Sequence, residues 1–212
     1  MTAVSINETT RDSARRSQAA RRRESDQRML AAAAALIARH GVAGTTLAQV
    51  GIEAGYSRGL PVERYSSKLG LITALLDATE RWFERHLERV LAGKSGLEAL
   101  ERRVEAHMGS VDRSLQATAA LYAIYMESHS VMPELKEAVA AFTARWAAGL
   151  VAHIHQGQAS GEIRPDLDCK AKARFLLAAM RGLMIQYLMD RSTGDLARGK
   201  KILRAHCRGY RA

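Results

Sequence analysis

The stretch TTLAQVGIEAGYSRGLPVERYSSK, residues 45–68, breaks an alanine-rich, helical pattern with threonine, serine and glycine set around short apolar patches. Thr46-Leu47-Ala48-Gln49 has the form of a capping box and predicts the start of a short helix. Leu47 and Val50 supply its apolar face, and Ala54 lies near its end. Gly55 falls where that helix must stop and turn, in a left-handed conformation that glycine adopts without penalty. Ser57 then reads as the cap of a second short helix over 58–65. Ser66-Ser67 reads as its end and as the cap of a further helix beginning at Lys68. Two short helices joined by a glycine-containing turn make a helix-turn-helix, which buries one face on a supporting helix and frees the second helix for a DNA major groove. An ordinary αα-hairpin has the same spacing, so the pattern alone leaves both open.

Outward from this stretch, helical periodicity organises nearly everything after residue 24. Ser25 is placed to cap a supporting helix over 25–40, with Met29, Leu30, Ala33, Leu36 and Ile37 on its apolar face and His40-Gly41 as its stop. A long helix over 69–91 carries Leu71, Ile72, Leu75, Leu76, Phe83, Leu87, Val90 and Leu91 on one side. Further helices read at 97–112, 115–128, 134–158, 168–190 and 195–210, with breaks at Gly93 to Gly96, at Pro133, from Gly161 to Pro165, and from Ser192 to Gly194. No fixed repeat and no strand alternation compete with this reading. The expected fold is all-α, with a basic arm (1–23), a helix-turn-helix domain (24–69) and a larger body (70–212).

Charge separates the regions. Residues 1–68 hold 11 Lys/Arg against 6 Asp/Glu, residues 69–194 hold 15 against 15, and residues 195–212 hold 6 against 1. The net charge of +10 therefore sits at the two ends, as expected if the start meets a polyanion and the body meets something else. The arm, with Arg11, Arg15, Arg16, Arg21, Arg22 and Arg23, has a composition expected to lack fixed structure. It reads either as a solvated tail or as a phosphate- or minor-groove-binding arm, with Arg23 beside the first helix.

The remaining composition excludes more than it suggests. The first 23 residues are polar and unlike a secretory signal, and no apolar run approaches the length of a bilayer span, so a soluble cytoplasmic protein is expected. Cys169 and Cys207 match no metal-ligand spacing and read as reduced thiols. His153 and His155 lie on different helix faces, unlike a zinc pair. With no phosphate loop, nucleophile elbow or paired carboxylates, neither an enzyme nor a cofactor is expected.

The helix 25–40, Gly41, TTLAQVGIEAGYSRG, the aromatic Tyr65 and SSKLGL together resemble the TetR family of transcriptional regulators. Further on, GQASGEIRPDLD followed by AMRGLMIQYLMD is similar to the ligand-binding part of many members. The resemblance implies an all-helical homodimer with a small DNA-binding domain and a larger domain for a small effector, acting as a repressor that the effector releases from a double-stranded operator. It also exposes two departures. Pro61 stands where the family usually has a β-branched residue or leucine, and Val62 where it usually has tyrosine. In a helix beginning at Arg58, Pro61 is the fourth residue and removes a backbone hydrogen bond. A helical ligand-binding or adaptor protein without specific DNA recognition is therefore the rival expectation.

Candidate residues follow. Thr46, Ser57 and Lys68 lie at or beside helix N-termini, which suit phosphate, and Arg64 and a solvent-facing Tyr65 hydroxyl would add to them. Arg58 has the donor fork for guanine O6 and N7, and Leu60 and Val62 suit thymine methyls. In the body, Thr118, Tyr122, Tyr125, Met126 and His129 share one helix face and Phe142, Trp146, Leu150 and His153 another. Trp82 and His86 lie on the core side of the long helix, and Met180 and Met184 on a later one. Such residues are ordinary core, or the wall of a mostly apolar pocket. Because these faces lack Lys, Arg, Asp and Glu, an effector without strong charge is expected. Helix 168–190 is apolar almost all round, and Leu196, Leu203, His206, Cys207 and Tyr210 make a stripe on the last helix; both are expected to pair with a second copy.

Overall fold

The chain is described from a computed structural model covering residues 4–191 and 195–212, with side chains from residue 18 onward. The expected break from Ser192 to Gly194 and the side chains of Arg11, Arg15 and Arg16 lie outside the described residues. Helices α1 (Val4–His40), α2 (Leu47–Glu53), α3 (Leu60–Tyr65) and α4 (Lys68–Leu91) lead into α5 (Gly96–Met108) and the single turn α6 (Ser110–Arg113). Then come α7 (Leu115–Ser130), a 3-10 turn at Pro133–Leu135, α8 (Lys136–Ala159), α9 (Cys169–Met189) and α10 (Leu196–Arg208). An isolated bridge between Ile163 and Arg211 is the only β pairing among the described residues.

Two buried clusters divide the molecule. The smaller holds Met29, Ala32, Ala33, Leu36, Val50, Ala54 and Leu71, where α1, α2, α3 and the start of α4 meet. The larger is built by α4 to α10 around Phe83, Leu100, Ile124, Phe142, Trp146, Leu150, Leu176 and Met180. Helices α1 and α4 contribute to both, so the head is carried on the body by continuous helices rather than by a linker.

Three expectations are corrected here. The basic arm is helical from Val4 and continuous with the supporting helix. Residues 4–40 contain neither glycine nor proline, so nothing local stops the helix. Ser25 consequently caps nothing; it is buried inside α1 and its hydroxyl donates to the Arg22 carbonyl at 2.8 Å. The stripe Leu196, Leu203, Cys207 and Tyr210 faces the chain's own body instead of a second copy. Arg204 and Arg208 hold α10 there through Glu101 on α5, at 3.1 Å each, so part of the C-terminal charge serves packing. The solvent-facing apolar residues of this pair of helices are Phe175 and Met189 on α9 and Ile202 on α10.

Candidate DNA-binding head and effector cavity

In the head, the capping box forms as expected. Thr46 Oγ1 accepts from the Gln49 N–H at 3.2 Å, and Gln49 Oε1 accepts from the Thr46 N–H at 2.8 Å. Helix α2 ends at Gly55, whose φ of +78° allows the Tyr56 N–H to return to the Gly51 carbonyl at 2.8 Å. Gly51 is required by close approach, since a Cβ there would lie 2.4 Å from the Ser57 carbonyl oxygen. These contacts seat the turn against α2.

The second helix starts later than its sequence suggests. Gly59, not Ser57, occupies the N-cap, and Ser57 only accepts a turn bond from the Leu60 N–H at 3.3 Å. That shift disposes of the difficulty with Pro61. Proline becomes the second helical residue, where a backbone N–H would have no intrahelical acceptor. The physical basis of the rival reading is removed.

The nine head candidates divide into two groups. Arg23, Thr46, Ser57, Arg58 and Val62 are exposed, Val62 at 49%. Leu60, Arg64, Tyr65 and Lys68 are partly buried and already engaged. Leu60 packs on the head core. Arg64 is ion-paired with Asp26 of α1. The Tyr65 hydroxyl is buried without a partner, and burial pushes its pKa up to about 12, so the condition for its touching phosphate, a solvent-facing hydroxyl, is not met. Lys68 Nζ donates to the Val42 and Ala43 carbonyls at 3.0 and 3.1 Å. The same two residues donate their N–H groups to Glu127 of α7 at 2.7 and 2.8 Å. A single loop of the head is thus gripped from its own domain by a lysine and from the body by a carboxylate.

In the body, α4 to α9 line a cavity of about 460 Å³ that opens to solvent beside the exposed Trp82, Arg113, Ser114 and Ala117. Trp82, Tyr122, Tyr125, Trp146 and Met184 line it, as does Thr118. Phe83 stacks on Trp146 with centroids 4.3 Å apart, and His107 meets Trp146 edge-on at 5.0 Å. His86 stands just behind the wall, stacked on Trp82 at 5.7 Å and accepting from Arg113 through Nδ1 at 2.9 Å. The other four candidates lie elsewhere. Met126 is 64% exposed and His129 is also exposed, because α7 turns that edge toward solvent. His153 pairs with Gln156 at 3.3 Å, and Met180 is buried in the core.

Sequence reading missed Thr79, His107, Ser110, Arg113, Ser114 and Leu121 in the lining. His107 had a signal, since it continues the stripe Leu97, Leu100, Val104 along α5. Its ring is buried, its Nδ1 has no partner, and burial, then Arg181 and Arg103, push its pKa down to about 3. Burial also raises Tyr125 to about 12 and lowers His86, the latter helped by Arg113 and Arg89. The wall therefore presents a neutral histidine and protonated phenols. The expectation of uncharged faces fails at Arg113, which reaches the cavity from the one-turn α6 rather than from the helix faces on which charges were sought.

This arrangement, a helix-turn-helix joined by continuous helices to a helical body with a cavity, is the architecture of a DNA-binding regulator. The model described as "Bacterial regulatory proteins, tetR family" matches residues 29–75, and that described as "BetI-type transcriptional repressor, C-terminal" matches residues 96–211. The chain belongs to the TetR family and is a DNA-binding transcriptional repressor. Among solved structures, a TetR-family regulator from Rhodococcus sp. is similar at 23% identity and a TM-score of 0.79, with 89% of this chain and 99% of that chain covered. A regulator from Saccharomonospora viridis, solved in complex with choline, aligns at 23% identity and a TM-score of 0.73, covering 86% and 94%. FadR from Bacillus subtilis, solved with stearoyl-CoA, aligns at 16% identity and a TM-score of 0.75, covering 85% and 96%. No curated protein matches the chain. Among the described residues no helix is long and apolar enough to cross a membrane.

Proposed function

We propose that this repressor binds its operator as a homodimer and is released when a small molecule occupies the body cavity. The observation that carries this reading is helix α7. Its N-cap Ser114 and, in its first half, Thr118 and Tyr122 wall the cavity, and Glu127 in its last turns holds the head at Val42 and Ala43. A ligand that displaces α7 shifts the point on which the head is anchored. In a dimer, two heads must match successive major grooves roughly 34 Å apart, so a small shift at each anchor lowers DNA affinity by linkage. The exposed apolar face of Phe175, Met189 and Ile202 supports pairing through α9 and α10.

For DNA contact we propose Arg58 as the base reader, with Val62 beside it and Thr46, Ser57 and Arg23 toward phosphate. Arg64 and Lys68 act mainly as braces of the head, because their charges are already taken up by Asp26 and by carbonyls. Regulators of similar fold have been solved with ligands as unlike as choline and stearoyl-CoA, so the effector is set by this chain's own lining.

The experiment is a binding titration on a duplex that the protein itself selects from random DNA. Any compound that changes the fluorescence of Trp82 and Trp146 should weaken operator binding, and Glu127→Gln should blunt that weakening while leaving compound affinity unchanged. Compounds that occupy the cavity with no effect on DNA affinity would sink the proposal.

A further inference from the structure

We infer that the effector is an amphiphilic organic anion, with a singly charged oxyanion head such as a carboxylate at Arg113 and an apolar chain along Trp146 and Met184. The inference rests on the cavity being the effector site. Arg113 is the one charged side chain in the described lining, and no carboxylate accompanies it. Its guanidinium donates to the His86 ring and lies 5.8 Å from the Trp82 centroid, which orients the charge without neutralising it.

Two more guanidiniums stand behind the wall. Arg181 donates to the Tyr125 hydroxyl and to Thr143, both at 3.1 Å, and lies 4.4 Å over the Tyr125 ring. Arg103 lies 5.7 Å over Phe83, with Glu84 as the acid that offsets it. The basicity of His107 is depressed first by burial, with smaller contributions of the same sign from Arg181 and Arg103. An aromatic-walled cavity is otherwise a natural host for a cation, through the negative faces of its rings. Here the faces of Trp82, Tyr125 and Phe83 are each already occupied by an arginine. A cationic ligand would be desolvated beside like charges, whereas an oxyanion meets a planar donor fork.

Trp82 and Trp146 are the chain's two tryptophans and both line the cavity, so intrinsic fluorescence reads occupancy directly. The probes are decanoate, 1-decanol and decyltrimethylammonium, which share a chain and differ in head charge. Decanoate should bind tighter than decanol by roughly tenfold or more, the worth of one charge-assisted hydrogen bond. Arg113→Gln should erase that preference, lowering decanoate affinity far more than decanol affinity. Equal or tighter binding of decanol or the ammonium, or a decanoate preference that survives Arg113→Gln, overturns the anion assignment while the cavity stands as a binding site. No fluorescence change with any of the three overturns the effector-cavity reading, and the anion assignment with it.

Discussion

The head and the body are both helical with mainly aliphatic cores, yet they differ in the size of the side chains where their helices meet. The head core is made of small and aliphatic residues, with three alanines among its seven buried members, and its helices approach closely enough that Gly51 tolerates no side chain. The body core is larger and mostly aliphatic, but at one place in it Phe83, Phe142, Trp146, Tyr122 and Tyr125 form an aromatic cluster beside a cavity of about 460 Å³. Small residues let the helices of the head approach closely, while the large rings of the body hold its helices apart where they border the cavity. The first arrangement suits a head that presents fixed geometry to DNA, and the second suits the ligand proposed for the body.

The largest expected effect falls on the head. Leu71 is 1% exposed and ties α4 to the head core, so Leu71→Ala should cost about 3 kcal/mol, by cavity creation. Operator binding should collapse while ligand-induced tryptophan fluorescence changes survive. Loss of both would show one cooperative unit rather than two.

Next comes a matched pair of enlargements. Ala33→Leu, in the filled head core, should destabilise by about 2 kcal/mol through overpacking. Ala117→Leu, at the cavity wall, should cost less than about 0.5 kcal/mol because space is present, but should weaken ligand binding. Urea denaturation of the two variants makes the comparison, and equal costs would contradict the difference in packing.

Arg58→Ala should leave stability unchanged, since Arg58 is exposed, and should relax base preference at one position per half-site by about 1–2 kcal/mol. Specific and random duplexes weakened alike would reassign the base reader.

The smallest effect is in the pH dependence, and it belongs to the body. His107 has its pKa lowered from 6.5 to about 3, so as pH falls through that window the unfolded chain takes up a proton that the folded chain refuses. Stability should therefore fall with decreasing pH below 6.5, by up to about 1.4 kcal/mol per pH unit, and His107→Phe should flatten the slope. His86, His153 and His206 are lowered as well and keep a residual slope of the same sign. Denaturation at several pH values checks it.

The head was legible in the sequence because its devices are local. The Thr46 box, the left-handed Gly55 and the Ser67 cap of α4 each act within a few residues, and all three stand in the structure. The same locality misled at Ser57 and Ser25, where a plausible cap residue was read as a boundary while the backbone ran on to Gly59, or back to Val4. The body was legible only in outline. Periodicity located its helices and placed Trp82, Tyr122, Tyr125, Trp146 and Met184 on inward faces, but it ranked Met126 with them, which faces solvent.

What this sequence determined by itself is the order of its main helices and the caps and turn of residues 45–68, because capping and apolar spacing are written within single turns of one helix, while the family came from the resemblance of whole stretches. The tertiary structure decided which rings border the cavity, that Arg113, Arg103 and Arg181 surround it, and that Glu127 and Lys68 grip the same loop of the head. Those facts depend on the rotation and register of one helix against another, over sequence separations such as the 85 residues between Val42 and Glu127. No local pattern specifies them, since the contacts exist only once both helices are packed.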